Sequence, residues 1–235
     1  MGVARSRVAA VTFDADQTLW DFAGVHRLAL QSTLDLMVER GDVERNGLTV
    51  GDLQRFRDDL AAEARRRGAH DLAAIREQSF AAALATVGHA DPEAAARVLV
   101  DHYMGVRFGS IRMYDDVAAV LSEIRRRVPI GLLTNGNTDP ERCGLPGAFD
   151  AVVMGPDHGV EKPDPAAFAL IASALGVAAD GLAHVGDDAD DIDGANAVGA
   201  VSVLIERDGP RPDLRARADH VIATLTELPP LLDLT

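Results

Sequence analysis

Lysine is almost absent from this sequence. Of 23 basic residues all but one are arginine, and the exception is Lys162, inside Glu161-Lys162-Pro163-Asp164-Pro165. A compact ammonium on a flexible stem differs from a planar guanidinium fork, so a lone lysine in an arginine-using chain hints that an ammonium is wanted there. Cysteine is nearly absent too. The single Cys143 excludes an intrachain disulfide and a cysteine-based zinc cluster, which fits a reducing cytoplasm. Long apolar runs are missing. Behind the basic Met1–Arg7 stretch the first such run reaches only from Val8 to Phe13, too short for a signal-peptide core or a membrane span. Positive charge is outnumbered, giving a net charge of −14. Such a surface repels nucleic acids and anionic membranes. Any phosphate ester bound here needs local positive charge.

What is present is an alternation of strands and helices. Val8–Phe13, Val128–Leu133, Ala151–Met154, Leu182–Val185 and Val201–Ile205 are short, apolar and rich in β-branched residues, the pattern of buried strands. Asp164-Pro165 reads as an N-cap followed by a first-turn proline. Phe168, Ile171 and Leu175 then repeat at helical spacing up to Gly176. Strands alternating with helices predict an α/β fold, a doubly wound parallel-sheet core.

Residues 21–108 break that alternation. Leu30, Leu34 and Met37 form one helical stripe. Leu53, Phe56, Leu60 and Ala64 form another, with Thr49 and Asp52 as a capping box and Gly68 as a stop. Leu72, Ile75, Leu84 and Val87 suggest a third helix, and Asp91-Pro92 starts a fourth. The expected organisation is therefore a core of residues 1–20 and 109–235 interrupted by an all-helical insertion of 21–108, with crossings near Leu19–Ala23 and Gly109–Asp115.

Three expected strands end in residues able to do chemistry: Asp14, Thr134, and Asp187 behind Gly186. Ligands of open α/β sheets bind beyond the carboxyl ends of the strands, so the three converge if their strands are neighbours. A carboxylate directly after a buried strand can attack phosphorus and form an acyl phosphate. A second one two residues on, Asp16, can protonate the leaving oxygen and later deprotonate water. In Gly186-Asp187-Asp188-Ala189-Asp190-Asp191-Ile192-Asp193-Gly194 the crowded carboxylates repel one another unless a cation or water relieves them, and magnesium suits such hard ligands. A calcium loop of the EF-hand kind fails, because Ala189 and Ala200 stand where acids are needed. Thr134-Asn135-Gly136 is a Gly-containing turn whose hydroxyl and amides can cradle phosphate oxygens. Lys162 can neutralise the charge spreading over them.

In this order, Asp14-x-Asp16-x-Thr18, Thr134-Asn135-Gly136, Lys162-Pro163-Asp164-Pro165 and Gly186-Asp187-x-x-x-Asp191 resemble the haloacid dehalogenase superfamily over residues 8–205, and the insertion resembles that family's helical cap. The resemblance implies a magnesium-dependent phosphohydrolase with Asp14 as nucleophile and Asp16 as general acid and base. It implies metal coordination by Asp14, the Asp16 main-chain carbonyl and Asp187, with Asp191 in direct or water-mediated support. Thr134, Asn135, Gly136 and Lys162 would bind the transferred phosphoryl group of a small soluble ester, such as phosphoglycolate, a sugar phosphate or a nucleotide. Gln17 departs from the family's usual Gly, Asp or Asn. The family's dehalogenases lack the second aspartate and need no metal, so Asp16 and Asp187 argue against halide displacement. Its phosphonate hydrolases use a cap lysine, which residues 21–108 do not contain. A phosphomutase shares all four motifs and stays open, as does a retired phosphoacceptor or binding module. Arg76, and behind it the Arg65-Arg66-Arg67 triplet, are the insertion's candidates for a substrate carboxylate or second phosphate, although such arginine runs usually form a solvated face.

Overall fold

The computed structural model describes residues 8–68 and 71–234. The basic Met1–Arg7 stretch and His70 lie outside them. The chain divides into two compact units, Met1–Asp21 with Arg112–Thr235, and Phe22–Ile111.

In the first unit β1 (Ala10–Phe13) is followed, past the second unit, by α5 (Val117–Arg125) and β2 (Ile130–Thr134). Proline cannot donate to a ladder, and β2 begins just after Pro129, later than its apolar run. Then come β3 (Ala151–Met154), the single turn α6 (Gly155–His158), α7 (Pro165–Leu175), β4 (Leu182–Gly186), α8 (Ala189–Ala197), β5 (Val201–Ile205), α9 (Pro212–Arg215), β6 (His220–Ile222) and α10 (Leu228–Leu231); the second unit holds α1 to α4, described below. The six strands form one sheet in the order β3-β2-β1-β4-β5-β6, and each neighbouring pair is parallel. This is the doubly wound arrangement expected from the alternation, with the order reversing at β1. Every residue of β1, β2, β4 and β5 is buried, the burial expected of strands covered on both faces. Phe168 and Ile171 of α7 pack with Ala10, Leu133 and Leu182 of the sheet. Asp164 caps α7 as expected, its carboxylate accepting from the Ala166 amide, and Gly176 ends it in the left-handed region. β6 was not expected. Its three residues are too few for a period-2 pattern to stand out.

The second unit is all helical: α1 (Phe22–Arg40), α2 (Val50–Arg66), α3 (Leu72–Thr86) and α4 (Pro92–Ser110). Its bounds fall slightly later than the sequence suggested, because α4 runs straight through Gly109. Thr49 and Asp52 form the expected capping box of α2, and Asp91 caps α4 ahead of Pro92. Leu30, Met37, Leu53, Phe80, Leu84, Leu99 and Tyr103 make its core. Of the α2 stripe only Leu53 is fully buried. Arg65, Arg66 and Arg67 are exposed, the solvated face that such runs usually form.

No helix among the described residues is long and apolar enough to cross a membrane.

Candidate active site

Because β1 lies between β2 and β4, the ends of the three strands that carry Asp14, Thr134 and Asp187 are side by side. The Asp14 amide donates to the Val185 carbonyl at 2.8 Å, fixing Asp14 one step beyond the paired strands. Asp14 is 8% exposed, and its carboxylate accepts from Lys162 Nζ at 2.6 Å. Lys162 also donates to Asp191 Oδ1 at 2.5 Å. Burial alone would lower the Lys162 pKa. The Asp14 and Asp191 carboxylates outweigh that and hold the ammonium charged far past neutrality. For Asp14 burial wins, with Asp191, Asp187 and Asp16 adding to it against Lys162, so its pKa lies well above the usual carboxylate value.

Lys162 is itself held by Asn135. The Asn135 side-chain oxygen accepts from the Lys162 amide at 2.7 Å, and its side-chain nitrogen donates to the Lys162 carbonyl at 2.8 Å. The Asn135 side chain, expected at the phosphoryl group, is thus engaged in positioning the lysine. The Gly136 amide donates to Thr134 Oγ1 at 3.0 Å. A Cβ at Gly136 would sit 3.2 Å from Asp16 Oδ2 and 3.3 Å from Thr134 Oγ1, so a side chain there would crowd both.

Asp191 is a junction. Its Oδ1 accepts from Lys162 and, at 3.0 Å, from His184 Nε2. Its Oδ2 accepts from the amides of Asp187 and Asp188 at 3.1 and 3.2 Å. Burial would raise its pKa, but Lys162 and His184 reverse the shift and keep it ionised. Fully buried His184 has its pKa lowered by burial, against the pull of Asp191. A neutral ring that donates from Nε2 must accept at Nδ1, and Thr12 Oγ1 is there at 2.8 Å. Parallel pairing of β1 and β4 puts Thr12 beside His184. Gly186 makes room for this junction: a Cβ there would lie 2.1 Å from Asp191 Cγ.

Asp14, Asp187 and Asp191 each offer a carboxylate oxygen within 4.8 Å of the others. Asp187 is pushed up to about 7, by burial first and then by Asp191 and Asp188. Asp188, which caps α8, is pushed up to about 6 by burial and Asp191. Crowded acids that resist ionisation in this way fit a hard divalent cation. Asp191 already accepts from four donors, Lys162, His184 and the amides of Asp187 and Asp188.

Asp16 is half-buried. Its Oδ1 accepts from Trp20 Nε1 at 2.8 Å and from Thr138 Oγ1 at 3.3 Å. Trp20 is fully buried and orients this carboxylate. Between them Gln17 adopts φ +60°, a conformation rare outside Gly, Asn and Asp. The family's usual Gly, Asp or Asn accommodates this backbone, and Gln17 adopts it here. Its side chain donates to Asp208 Oδ2 at 2.7 Å.

From sequence, His184 reads as a structural histidine flanking the motifs, and Thr138 and Arg207 do not stand out. Arg207 donates to the Thr18 carbonyl at 3.0 and 3.2 Å and to both Asp116 oxygens, tying the segment behind the site to α5. A histidine inside an apolar strand was the available signal for His184. Thr138 and Arg207 lie in loops and carried none.

A family profile described as haloacid dehalogenase-like hydrolase matches residues 8–199. The chain belongs to this hydrolase family. It is 30% identical over 236 residues to mouse N-acylneuraminate-9-phosphatase, covering 97% of this chain and 94% of that protein. It is 32% identical to glyceraldehyde 3-phosphate phosphatase of Methanopyrus kandleri over 90% of this chain and 89% of that one. Among solved structures, the 2-haloacid dehalogenase of Pseudomonas syringae matches with a TM-score of 0.81 at 28% identity, covering 96% of this chain and 98% of that one. The fold therefore hosts both phosphatases and dehalogenases, and the choice between them falls to the site.

Proposed function

We propose that this enzyme is a magnesium-dependent hydrolase of small organic phosphate monoesters. The observation that carries the reading is Asp16, a second carboxylate two residues past the nucleophile and oriented by Trp20 and Thr138. Halide displacement needs no proton donor, whereas an alkoxide leaving group does. The phosphatases among its relatives support the same choice.

In the first step an Asp14 carboxylate oxygen bonds to phosphorus while the bond to the ester oxygen breaks. Asp16, protonated at this stage, gives its proton to the departing alcohol. In the second step Asp16 takes a proton from water, whose oxygen attacks phosphorus. The bond to Asp14 breaks and inorganic phosphate leaves. Lys162 holds Asp14 and offsets negative charge on the transferred group. Thr134 and the turn through Gly136 face the same oxygens. Asp14, Asp187 and the Asp16 carbonyl would hold the magnesium, which when bound would neutralise phosphoryl charge. Asp191 and His184 keep Lys162 in place.

The test is inorganic phosphate release from an aryl phosphate and a panel of small esters, with magnesium and with excess chelator. Magnesium-dependent release is expected. Release that persists in chelator would overturn the metal assignment, and none from any ester would overturn the hydrolase reading.

A further inference from the structure

The helical unit contains a second concentration of charge. Arg76 on α3 lies with its guanidinium 4.4 Å from the centre of the Tyr103 ring. Its Nη1 is shielded from solvent and has no hydrogen-bond partner among the described residues. Arg107 on α4 is 4% exposed and stacks on Phe22 at 4.8 Å. Between the two arginines the rings form a ladder: Phe22 stacks on His26 at 5.6 Å, and His26 meets Tyr103 edge-on at 5.8 Å.

The ladder is fixed by hydrogen bonds. His26 Nε2 lies 2.5 Å from Gln54 Oε1, and Nδ1 lies 2.6 Å from the Tyr103 hydroxyl. Gln54 Oε1 only accepts, so Nε2 carries the proton and the Tyr103 hydroxyl donates to Nδ1. Gln54 in turn donates to both Asp58 oxygens at 3.1 Å, and Arg57 pairs with Asp58 at 3.0 Å. Burial first, and then Arg76, Arg57 and Arg107, lower the His26 pKa to about 4. Burial also lowers that of Arg76, to about 10.

A guanidinium donor without an acceptor is costly to keep out of water. The Tyr103 ring holds the Arg76 guanidinium in place, and its Nη1, without an acceptor, is the recognition element. A guanidinium matches the oxygens of a carboxylate in shape and charge. Arg57 already has Asp58, so one guanidinium's worth of donors calls for a monoanion. Arg76 as a residue keeps part of its surface in solvent while Nη1 itself is shielded, so the side chain must turn outward to meet a ligand.

We propose that the Arg76–Tyr103–His26–Arg107 cluster of the helical unit is an oxyanion site that takes the carboxylate of a small organic acid. This goes beyond the phosphatase reading, and binding to the site can be measured without it. The carboxylate can belong to the phosphate ester being hydrolysed or to a separate acid.

The first arm is binding to the full chain in magnesium-free buffer. Acetate, lactate and gluconate are titrated against chloride at equal ionic strength, following the arginine Nε–H NMR signals. A saturable, carboxylate-specific shift of the Arg76 signal is expected. Arg76→Gln should weaken binding by about 10- to 100-fold, the range for a hydrogen bond to a charged group, and Arg76→Lys by less. A wild-type response no different from chloride, or undiminished binding by a folded Arg76→Gln, overturns the site. The wild-type titration decides even if that variant fails to fold.

The second arm separates the two sources. The ratio of kcat/KM for a carboxylate-bearing phosphate ester to that for its amide is measured in wild type and in Arg76→Gln. A ratio above about 10 that collapses in the variant assigns the carboxylate to the substrate. A ratio near one in both, with binding intact in the first arm, assigns it to a separate acid. Absence of any phosphate release would bear on the phosphatase reading and leave the first arm standing.

Discussion

In the α/β unit the buried cation Lys162 sits against two carboxylates. In the helical unit Arg76 and Arg107 sit against aromatic rings. The first arrangement offsets charge with charge, and every member depends on another: Asn135 holds Lys162, Lys162 holds Asp14 and Asp191, and His184 holds Asp191 from behind. The second leaves positive charge facing quadrupoles, an attraction worth far less than a paired carboxylate. One unit pairs its buried cation internally. In the other, Arg76 Nη1 is buried without an acceptor among the described residues.

The comparison is broken most severely at Asp14. Asp14→Asn should cut kcat by at least about 10⁴-fold, on the scale seen when a nucleophile is lost, while circular dichroism still shows a folded protein. Asp16→Asn should cost about 10²–10⁴-fold. The loss should be greater on alkyl than on aryl phosphates, because a phenolate leaves without a proton. A uniform loss across leaving groups would remove Asp16 from the acid role.

Gly186→Ala tests the junction without touching a charge. The added methyl would force Asp191 away, and displacement of about 1 Å in such a site costs about 10²-fold. Wild-type kinetics from this variant would mean that the Asp191 network does not matter.

In the helical unit the sensitive quantity is stability rather than rate. His26 has a folded pKa of about 4 against an ordinary 6.5. Between those values the unfolded chain binds the extra proton, so stability is lost as pH falls from 6.5 towards 4. After allowance for partial exposure the loss is about 1–3 kcal/mol. Thermal melts across that range should show a shallower pH dependence in His26→Gln. At the small end, exposed Arg66→Ala should change stability by less than about 0.5 kcal/mol.

The same contrast decided how much could be read from sequence. Residues at strand ends announce themselves, because an apolar run that stops at Asp14, Thr134 or Gly186-Asp187 names both the strand and the side chain beyond it. Helix caps at Thr49, Asp91 and Asp164 were legible for the same local reason. What depends on long-range geometry was not. Asn135 reads as a turn residue, and only the fold shows its side chain clasping Lys162. Trp20 reads as core until its indole is seen on Asp16. The aromatic ladder joins Phe22, His26, Arg76 and Tyr103 from three helices; helical spacing pairs Phe22 with His26, but nothing in the chain connects them to Arg76 and Tyr103. Only Arg76 stood out, as one arginine among many.

The most direct test of the central claim is to trap the phosphorylated enzyme. Asp16→Asn is mixed with an aryl phosphate and magnesium, quenched in acid and mapped by peptide mass spectrometry. The aryl leaving group allows the first transfer, and the missing base stalls the second, so phosphate is predicted on Asp14. Phosphate on another residue, or release of inorganic phosphate with no covalent species in an enzyme that still turns over, would contradict it.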